Sequence, residues 1–171
     1  LLSPKVRIIF LQRKNLLRAE VSGCIAKQTK VWQIFNLDEE TKQVYRNLKP
    51  VPLKEFADGL EYAKELRDYY EGVIARRPKG TYLQVFYEDF YSGDLAANRA
   101  AAKRVFEFLG LDLPDVDELD YHIDPRTSKI NTPETYALLP NANEINERFG
   151  NDDTGWLFGD DDAGALVETR V

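Results

Sequence analysis

The sequence predicts an α/β fold in which parallel strands alternate with helices. Two short segments, residues 5–11 (KVRIIFL) and 81–90 (TYLQVFYEDF), are rich in β-branched and aromatic residues, as buried strands are. Apolar residues at helical spacing follow each of them. Strands that alternate with helices in this way indicate a parallel sheet with helices packed on it. At 171 residues the chain can bury a real core, and we expect a single domain over residues 1–171.

The first half of the chain contains the first strand and two predicted helices. Apolar residues from Leu17 to Trp32 recur every three or four positions and predict an amphipathic helix over residues 16–33. Residues 36–52 predict a loop or a short helix that ends at the prolines. A long second helix is marked by apolar residues from Phe56 to Ile74 and ends before RRPKG at residues 76–80.

The second half begins with the strand at residues 81–90 and continues with two more helices. Asp94 is the expected N-cap of the third helix, and Gly110 is its expected C-terminal stop. Residues 139–150 (LPNANEINERFG) predict a fourth helix, with Asn141 and Glu144 as a capping box and Gly150 after its end. We expect residues 159–171 to form a flexible acidic tail.

Composition narrows the classes of function. The net charge is −6, yet the first 30 residues carry seven basic residues against one acidic residue. A small basic region on an acidic chain argues against nucleic-acid binding and favours a small anionic ligand. No apolar run is long enough to span a bilayer, and the one cysteine, Cys24, favours a reducing compartment, so we expect a cytoplasmic protein. His122 is the only histidine, which excludes a multi-histidine metal site, and we predict no metal.

The basic residues concentrate where the first strand meets the first helix, in FLQRKNLLRAEVS at residues 10–22. Open α/β sheets bind ligands beyond the carboxyl ends of their strands, and the N–H groups of a first helical turn favour phosphate. Arg13 adds a planar donor fork that can bind a phosphate with two hydrogen bonds, and the Ser22 hydroxyl could donate to the same anion. The structural alternative is a solvated arginine and a serine bonded to carbonyls of its own helix.

The same region resembles a known family. The stretch IIFLQRKNLLRAEVSGCIAKQTKVW at residues 8–32 is similar to a segment of sulfotransferases that use 3′-phosphoadenosine 5′-phosphosulfate, in particular the bacterial carbohydrate enzymes of the nodulation-factor type. LQVFYEDF, VFEFLGLD, SKINT and NANEINERFG follow in the order of that family's later segments. The matching positions of the first segment are Arg13, Asn15, Leu16, Leu17, Arg18, Ser22, Ala26, Gln28, Thr29 and Trp32.

The resemblance implies a P-loop-like three-layer fold, with a parallel sheet between helices. It also implies transfer of a sulfuryl group from 3′-phosphoadenosine 5′-phosphosulfate to a hydroxyl or amine, on a carbohydrate or glycolipid. In the family an arginine and a serine at the positions of Arg13 and Ser22 bind the 3′-phosphate. Many members separate this pair by eight positions, whereas nine separate it here, so Lys14 is an alternative partner of Ser22. Lys129 is a further candidate for the nucleotide, and the catalytic base is unassigned.

The family's Gly/Ser-rich loop, which binds the 5′-phosphosulfate through backbone N–H groups, has no counterpart in the sequence. We therefore expect the chain to correspond to the C-terminal part of such an enzyme, without the N-terminal strand, loop and helix. One alternative is a non-catalytic nucleotide-binding or interaction module that retains only the 3′-phosphate site. A nucleotide kinase-like protein is disfavoured because no Gly-rich phosphate loop or Mg²⁺ signature is visible. Whether the chain forms a homo-oligomer is open.

Other candidates have simpler interpretations. His122 could act as a base, but a lone loop histidine is more often incidental. The neighbouring carboxylates Glu88 and Asp89 favour a structural role, capping nearby backbone, over acid–base catalysis. Trp32 and Tyr136 could line a sugar site, although core packing is favoured. The stretch 151–164, NDDTGWLFGDDDAG, lacks the regular spacing of a calcium loop.

Overall fold

The computed structural model describes residues 6–32, 39–92, 94–124 and 132–159, which form a mixed α/β structure. Two compact units divide the chain: Leu1–Lys14 with Glu65–Lys129, called here the sheet unit, and Asn15–Lys64 with Ile130–Val171, called the helical unit. The single domain expected from the sequence stays a prediction. The elements in chain order are β1 (Ile8–Gln12), α1 (Leu16–Thr29), α2 (Glu39–Arg46), α3 (Leu53–Ala75), β2 (Tyr82–Phe86), α4 (Tyr87–Phe90), α5 (Leu95–Leu109), α6 (Val116–Ile123), α7 (Pro133–Ala137) and α8 (Ala142–Phe149).

The two strands of the sheet unit pair in parallel, as the sequence predicts. Ile8 lies opposite Tyr82 and Gln12 opposite Phe86. The second strand ends four residues earlier than predicted, because Tyr87–Phe90 form the helix α4. The first turn of α4 contains two acidic residues, Glu88 and Asp89, whose negative charges are favourable at a helix N-terminus.

Helix α3 contacts one face of the strand β1, and the segment before the strand contacts α5. On one face the ring of Phe10 lies 5.7 Å from the ring of Tyr70 of α3, and the Gln12 amide donates to Glu71 of α3 at 3.2 Å. Arg7, which precedes the strand, donates to the carbonyl of Phe108 of α5. The other face of the strand is less covered, since the side chain of Leu11 is 59% exposed.

The helix α5 matches its prediction at both ends. Asp94 accepts hydrogen bonds from the N–H groups of Ala96 at 2.9 Å and Ala97 at 3.4 Å, and Gly110 ends the helix in the left-handed region with φ of 71°. The following helix, α6, was not predicted. It begins at an Asp115 cap, whose carboxylate accepts from the N–H of Asp117 at 2.9 Å.

The helical unit has the larger core. Its buried apolar side chains are Leu16, Leu17, Val21, Ile25, Tyr45, Leu48, Val51, Phe56, Leu60, Tyr136, Leu139, Ala142, Ile145 and Leu157. The helix α1 begins after the Asn15 cap and ends at Thr29, four residues before the predicted end, because Lys30 takes a left-handed conformation with φ of 62°. The short helices α2 and α7 add apolar residues to this core.

The predicted capping box of α8 is wrong, although the helix itself is confirmed. The Asn141 side chain does not cap the helix. Its amide oxygen accepts from the N–H of Val51 at 3.0 Å, and its amide nitrogen donates to the Val51 carbonyl at 2.9 Å. Gly150 ends the helix with φ of −71°, outside the left-handed region. The predicted tail from residue 160 onward lies outside the described residues.

Candidate anion site at the strand ends

A pocket of about 260 Å³ lies at the carboxyl ends of both strands in the sheet unit. Gln12 closes β1 and Phe86 closes β2, and both line it. The remaining lining residues are Arg13, Lys14, Arg67, Asp68 and Glu71. The sequence predicted a ligand at this strand end, and the pocket places Arg13 and Lys14 there.

Arg13 is the best placed of these cations to receive an anion. Its guanidinium carbon lies 3.5 Å from the ring centroid of Tyr87, the first residue of α4. Stacking on an aromatic face fixes the plane of a guanidinium and leaves its edge donors available. Within the described part of the chain Arg13 makes no hydrogen bond and no ion pair. Its charge also opposes the effect of burial, which raises the pKa of the Tyr91 hydroxyl.

Lys14 is held by two carboxylates instead. Its backbone N–H donates to Glu88 at 2.9 Å, and its ammonium pairs with Asp89 at 2.6 Å. Glu88 therefore binds backbone, as the structural interpretation of this acidic pair predicted, whereas Asp89 binds a side chain. Because Asp89 already compensates the Lys14 ammonium, Arg13 is the stronger candidate of the two neighbours for an anion.

The pocket also contains polar residues that the sequence did not single out. Arg67 donates to Asp68 at 3.1 Å, and the Gln12 side chain, which joins Glu71, also accepts from the amide of Gln84. Gln12 had a local signal in the sequence, since it is a polar residue at the end of an apolar strand. In the structure it is buried. The acidic residues of α3 had none, because only tertiary packing brings that helix to the strand end.

Ser22 belongs to the helical unit, where it lies half-buried on α1. Its hydroxyl lies 3.1 Å from the hydroxyl of Tyr136. Among the described residues it bonds to no carbonyl of its own helix, so the serine part of the structural alternative is wrong, while its arginine part stays open. Arg13 and Ser22 belong to different units, and one phosphate bound by both stays a prediction. Lys129 lies outside the described residues, and its role stays a prediction as well.

The first turn of α1 is already hydrogen bonded within the protein. The Leu17 N–H donates to the carbonyl of Thr154 at 2.9 Å, and the Arg18 N–H donates to the Asn15 side chain at 2.8 Å. The predicted contribution of this turn to phosphate binding is reduced accordingly.

Asn15 and Arg18, two further positions of the resemblance, fix the segment near residue 156. The Asn15 amide donates to the Trp156 carbonyl at 2.8 Å, and Arg18 donates twice to the Leu157 carbonyl, at 3.0 and 2.8 Å. Gln28 acts in a similar way, since its amide exchanges two hydrogen bonds with the backbone of Lys49. These polar residues of the motif therefore stabilise the helical unit.

The secondary candidates depart from the simpler interpretations at two positions. His122 lies in the last turn of α6, so its predicted place in a loop is wrong; its side chain is exposed, and its backbone carbonyl accepts from Tyr91. Tyr136 is in the core, 3% exposed, as favoured, whereas Trp32 lies beyond α1 and is 63% exposed, so its predicted core packing is wrong. In the acidic stretch, Asn151 accepts from the N–H groups of Asp153 and Thr154, which closes a turn.

The described residues contain no group of three histidine, cysteine or carboxylate side chains that could hold a metal ion. None of their helices is both long and apolar enough to cross a membrane. A larger pocket, of about 450 Å³, opens in the helical unit beside Gln28 and Lys49, but both polar groups of Gln28 are already used there.

Comparison with known proteins adds no relative: no family model matches the chain, and neither the curated proteins nor the solved structures contain a significant match.

Proposed function

We propose that this chain is a sulfotransferase domain that binds 3′-phosphoadenosine 5′-phosphosulfate and directs its sulfuryl group to an acceptor. The proposal rests on the sequence resemblance and on one structural observation. Arg13, the arginine that the resemblance assigns to the 3′-phosphate, lies in a pocket at a strand end with its donors unused by the described residues. An arginine in this state is suited to bind a phosphate with two hydrogen bonds.

The local architecture of the sheet unit supports the proposed P-loop-like, three-layer fold. The strands β1 and β2 are parallel, and α3 packs against one face of β1. Arg7, just before β1, donates to a carbonyl of α5. In such folds ligands bind beyond the carboxyl ends of the strands, where the Arg13 pocket lies.

The proposed reaction is an in-line displacement at sulfur. The acceptor oxygen or nitrogen forms a bond to sulfur, while the bond between sulfur and the 5′-phosphate oxygen breaks and its electron pair stays on that oxygen. The acceptor proton passes to a general base. Arg13 holds the 3′-phosphate before and after the transfer; Ser22 is the second candidate for this phosphate, and Lys14 and Lys129 are secondary candidates. We expect a carbohydrate or glycolipid hydroxyl or amine as acceptor, a cytoplasmic location, and no nucleic acid as partner.

A non-catalytic nucleotide-binding module is the second candidate. It is favoured by the charges around Arg13, since Asp68 and Glu71 line the same pocket and Asp89 compensates Lys14. The site therefore carries less positive charge than the sequence alone suggested, although the sulfuryl donor has several anionic groups to neutralise. Transfer of labelled sulfate from the donor to a panel of carbohydrates separates the candidates, because only the enzyme gives a labelled product.

Calorimetric titration with adenosine 3′,5′-bisphosphate and with 5′-AMP tests the proposed nucleotide site. We expect the bisphosphate to bind more tightly, because Arg13 addresses only the 3′-phosphate. Arg13→Ala should cost about 1.5–3 kcal/mol, or roughly 10- to 150-fold in bisphosphate affinity, the range of a hydrogen bond to a charged group. The affinity for 5′-AMP should change little.

Two variants serve as controls for that experiment. Arg104 is an exposed arginine of α5 that makes no hydrogen bond or ion pair to the described residues, so Arg104→Ala should bind both nucleotides like the wild type. Lys14→Ala should cost less than Arg13→Ala, since Asp89 already compensates Lys14. Equal affinity of the wild type for the two nucleotides would contradict the proposed function.

A further inference from the structure

The hydroxyl groups of Ser22 and Tyr136 form a hydrogen-bonded pair inside the helical unit, 3.1 Å apart. Tyr136 is 3% exposed and belongs to the core, whereas Ser22 is half-buried. Of the two residues, Ser22 is therefore the one that a ligand from solvent can reach. Either oxygen can donate in this pair, because a serine and a tyrosine hydroxyl each carry one proton and also accept.

We infer that Tyr136 is a positioning residue, whose hydroxyl donates to Ser22 and so leaves the Ser22 proton available for a phosphate oxygen. The inference rests on the proposed function, in which Ser22 binds the 3′-phosphate. It adds a residue that the sequence resemblance did not assign to the site.

The direction of the hydrogen bond follows from the ligand. Phosphate oxygens accept hydrogen bonds, so Ser22 has to donate its only proton to the phosphate and can then only accept from Tyr136. A phenol is also the more acidic of the two hydroxyls and the better donor. A hydroxyl that accepts one hydrogen bond is polarised and donates the next one more strongly. Tyr136 thus both orients Ser22 and strengthens its bond to the anion.

The core of the helical unit offers a matched control. Tyr45 is also 3% exposed and belongs to the same cluster of buried residues. Its hydroxyl is buried and makes no hydrogen bond to the part of the chain that the structure describes. Tyr45→Phe therefore makes the same chemical change as Tyr136→Phe, in the same core, without removing a hydrogen bond.

The test compares the whole 171-residue chain with the variants Tyr136→Phe, Tyr45→Phe, Ser22→Ala and the double variant Ser22→Ala/Tyr136→Phe. Titration calorimetry with adenosine 3′,5′-bisphosphate and with 5′-AMP gives the dissociation constants. We expect Tyr136→Phe to weaken bisphosphate binding about 3- to 10-fold, the range for one hydrogen bond, and to leave 5′-AMP binding unchanged. Tyr45→Phe should match the wild type with both nucleotides.

The double variant separates positioning from a general loss of structure. If Tyr136 acts through Ser22, adding Tyr136→Phe to Ser22→Ala should have no further effect on bisphosphate affinity. The inference is overturned if Tyr136→Phe binds the bisphosphate like the wild type, if it weakens both nucleotides equally, or if the two single effects add. A wild type without preference for the bisphosphate would instead overturn the proposed function, and this inference with it.

Discussion

Replacement of Asn15 by alanine should destabilise the helical unit by about 2 kcal/mol. Asn15 uses both ends of its side-chain amide. The oxygen caps α1 by accepting from the N–H of Arg18 at 2.8 Å, and the nitrogen donates to the carbonyl of Trp156 at 2.8 Å. The residue therefore ties the start of a core helix to a segment more than a hundred positions later in the sequence.

The magnitude follows from these two bonds. Loss of an asparagine N-cap costs about 1 kcal/mol. A net intramolecular hydrogen bond contributes about 1 kcal/mol more. The fit around the side chain is close, since a Cβ added at Gly155 would lie 2.6 Å from Cγ of Asn15, so little rearrangement can compensate the loss. Asn15→Asp separates the contribution of the cap from that of the hydrogen bond to Trp156. It keeps the cap but replaces the donor with an oxygen that faces the Trp156 carbonyl.

Urea unfolding followed by circular dichroism measures the effect. Asn143, an exposed residue of α8 without a hydrogen bond to the described residues, supplies the control Asn143→Ala. This control should be neutral or slightly stabilising, since alanine has the higher helix propensity. We expect Asn15→Asp to lie between the wild type and Asn15→Ala. If Asn15→Ala unfolds at the same urea concentration as Asn143→Ala, the reasoning from the two hydrogen bonds is refuted.

Two other changes test the interior of each unit. Burial, with the carboxylate of Glu20 as the second cause, raises the pKa of the Cys24 thiol to about 11. At pH 8 the raised pKa lowers the thiolate fraction about 100-fold. The more basic thiolate is also the better nucleophile, which raises its intrinsic reaction rate by up to about 10-fold. Alkylation of the folded chain by iodoacetamide, followed by mass spectrometry, should thus be about 10-fold slower than alkylation of the urea-unfolded chain. The folded Glu20→Gln variant should react faster than the folded wild type. Equal rates for the folded and unfolded wild type would contradict this prediction. Asn98, fully buried in the sheet unit, accepts from the N–H of Ser92 at 3.0 Å and donates to the Ile123 carbonyl at 3.0 Å. Asn98→Ala should cost about 2–4 kcal/mol in urea unfolding, because it removes both partners' bonds, and a loss below about 0.5 kcal/mol would show that these bonds are replaced.

Local signals predicted those elements whose ends are set by neighbouring residues. The helix α5 was predicted at both ends because Asp94 and Gly110 act on the backbone next to them. The end of α1 was missed because Lys30 takes a left-handed conformation, which is uncommon for a residue with a Cβ and has no sequence signal here. The capping role of Asn141 was missed because its amide bonds instead to Val51, 90 positions away.

In the candidate site, too, local features could be predicted from the sequence and features that depend on distant residues could not. The position of Arg13 could be predicted, because a strand end followed by a basic residue and a helix is visible in the sequence. The preference for Arg13 over Lys14 could not, since it depends on the stacking of Tyr87 and on the carboxylate of Asp89. Those residues come from a later part of the chain, and their approach depends on the parallel pairing of the strands.

The two-stranded sheet leaves one edge of β1 with a distinctive pattern of amide hydrogen exchange. The N–H of Ile8 donates at 3.0 Å to the carbonyl just before β2, so by the two-residue repeat the N–H groups of Phe10 and Gln12 also point toward β2. Those of Ile9 and Leu11 point to the opposite edge, where no strand among the described residues pairs. Deuterium should therefore enter alternate positions of one strand at different rates. If another strand, from any source, paired with this edge, the alternate residues of β1 would exchange at equal rates. Amide exchange in β1 therefore reports locally whether the sheet has been extended.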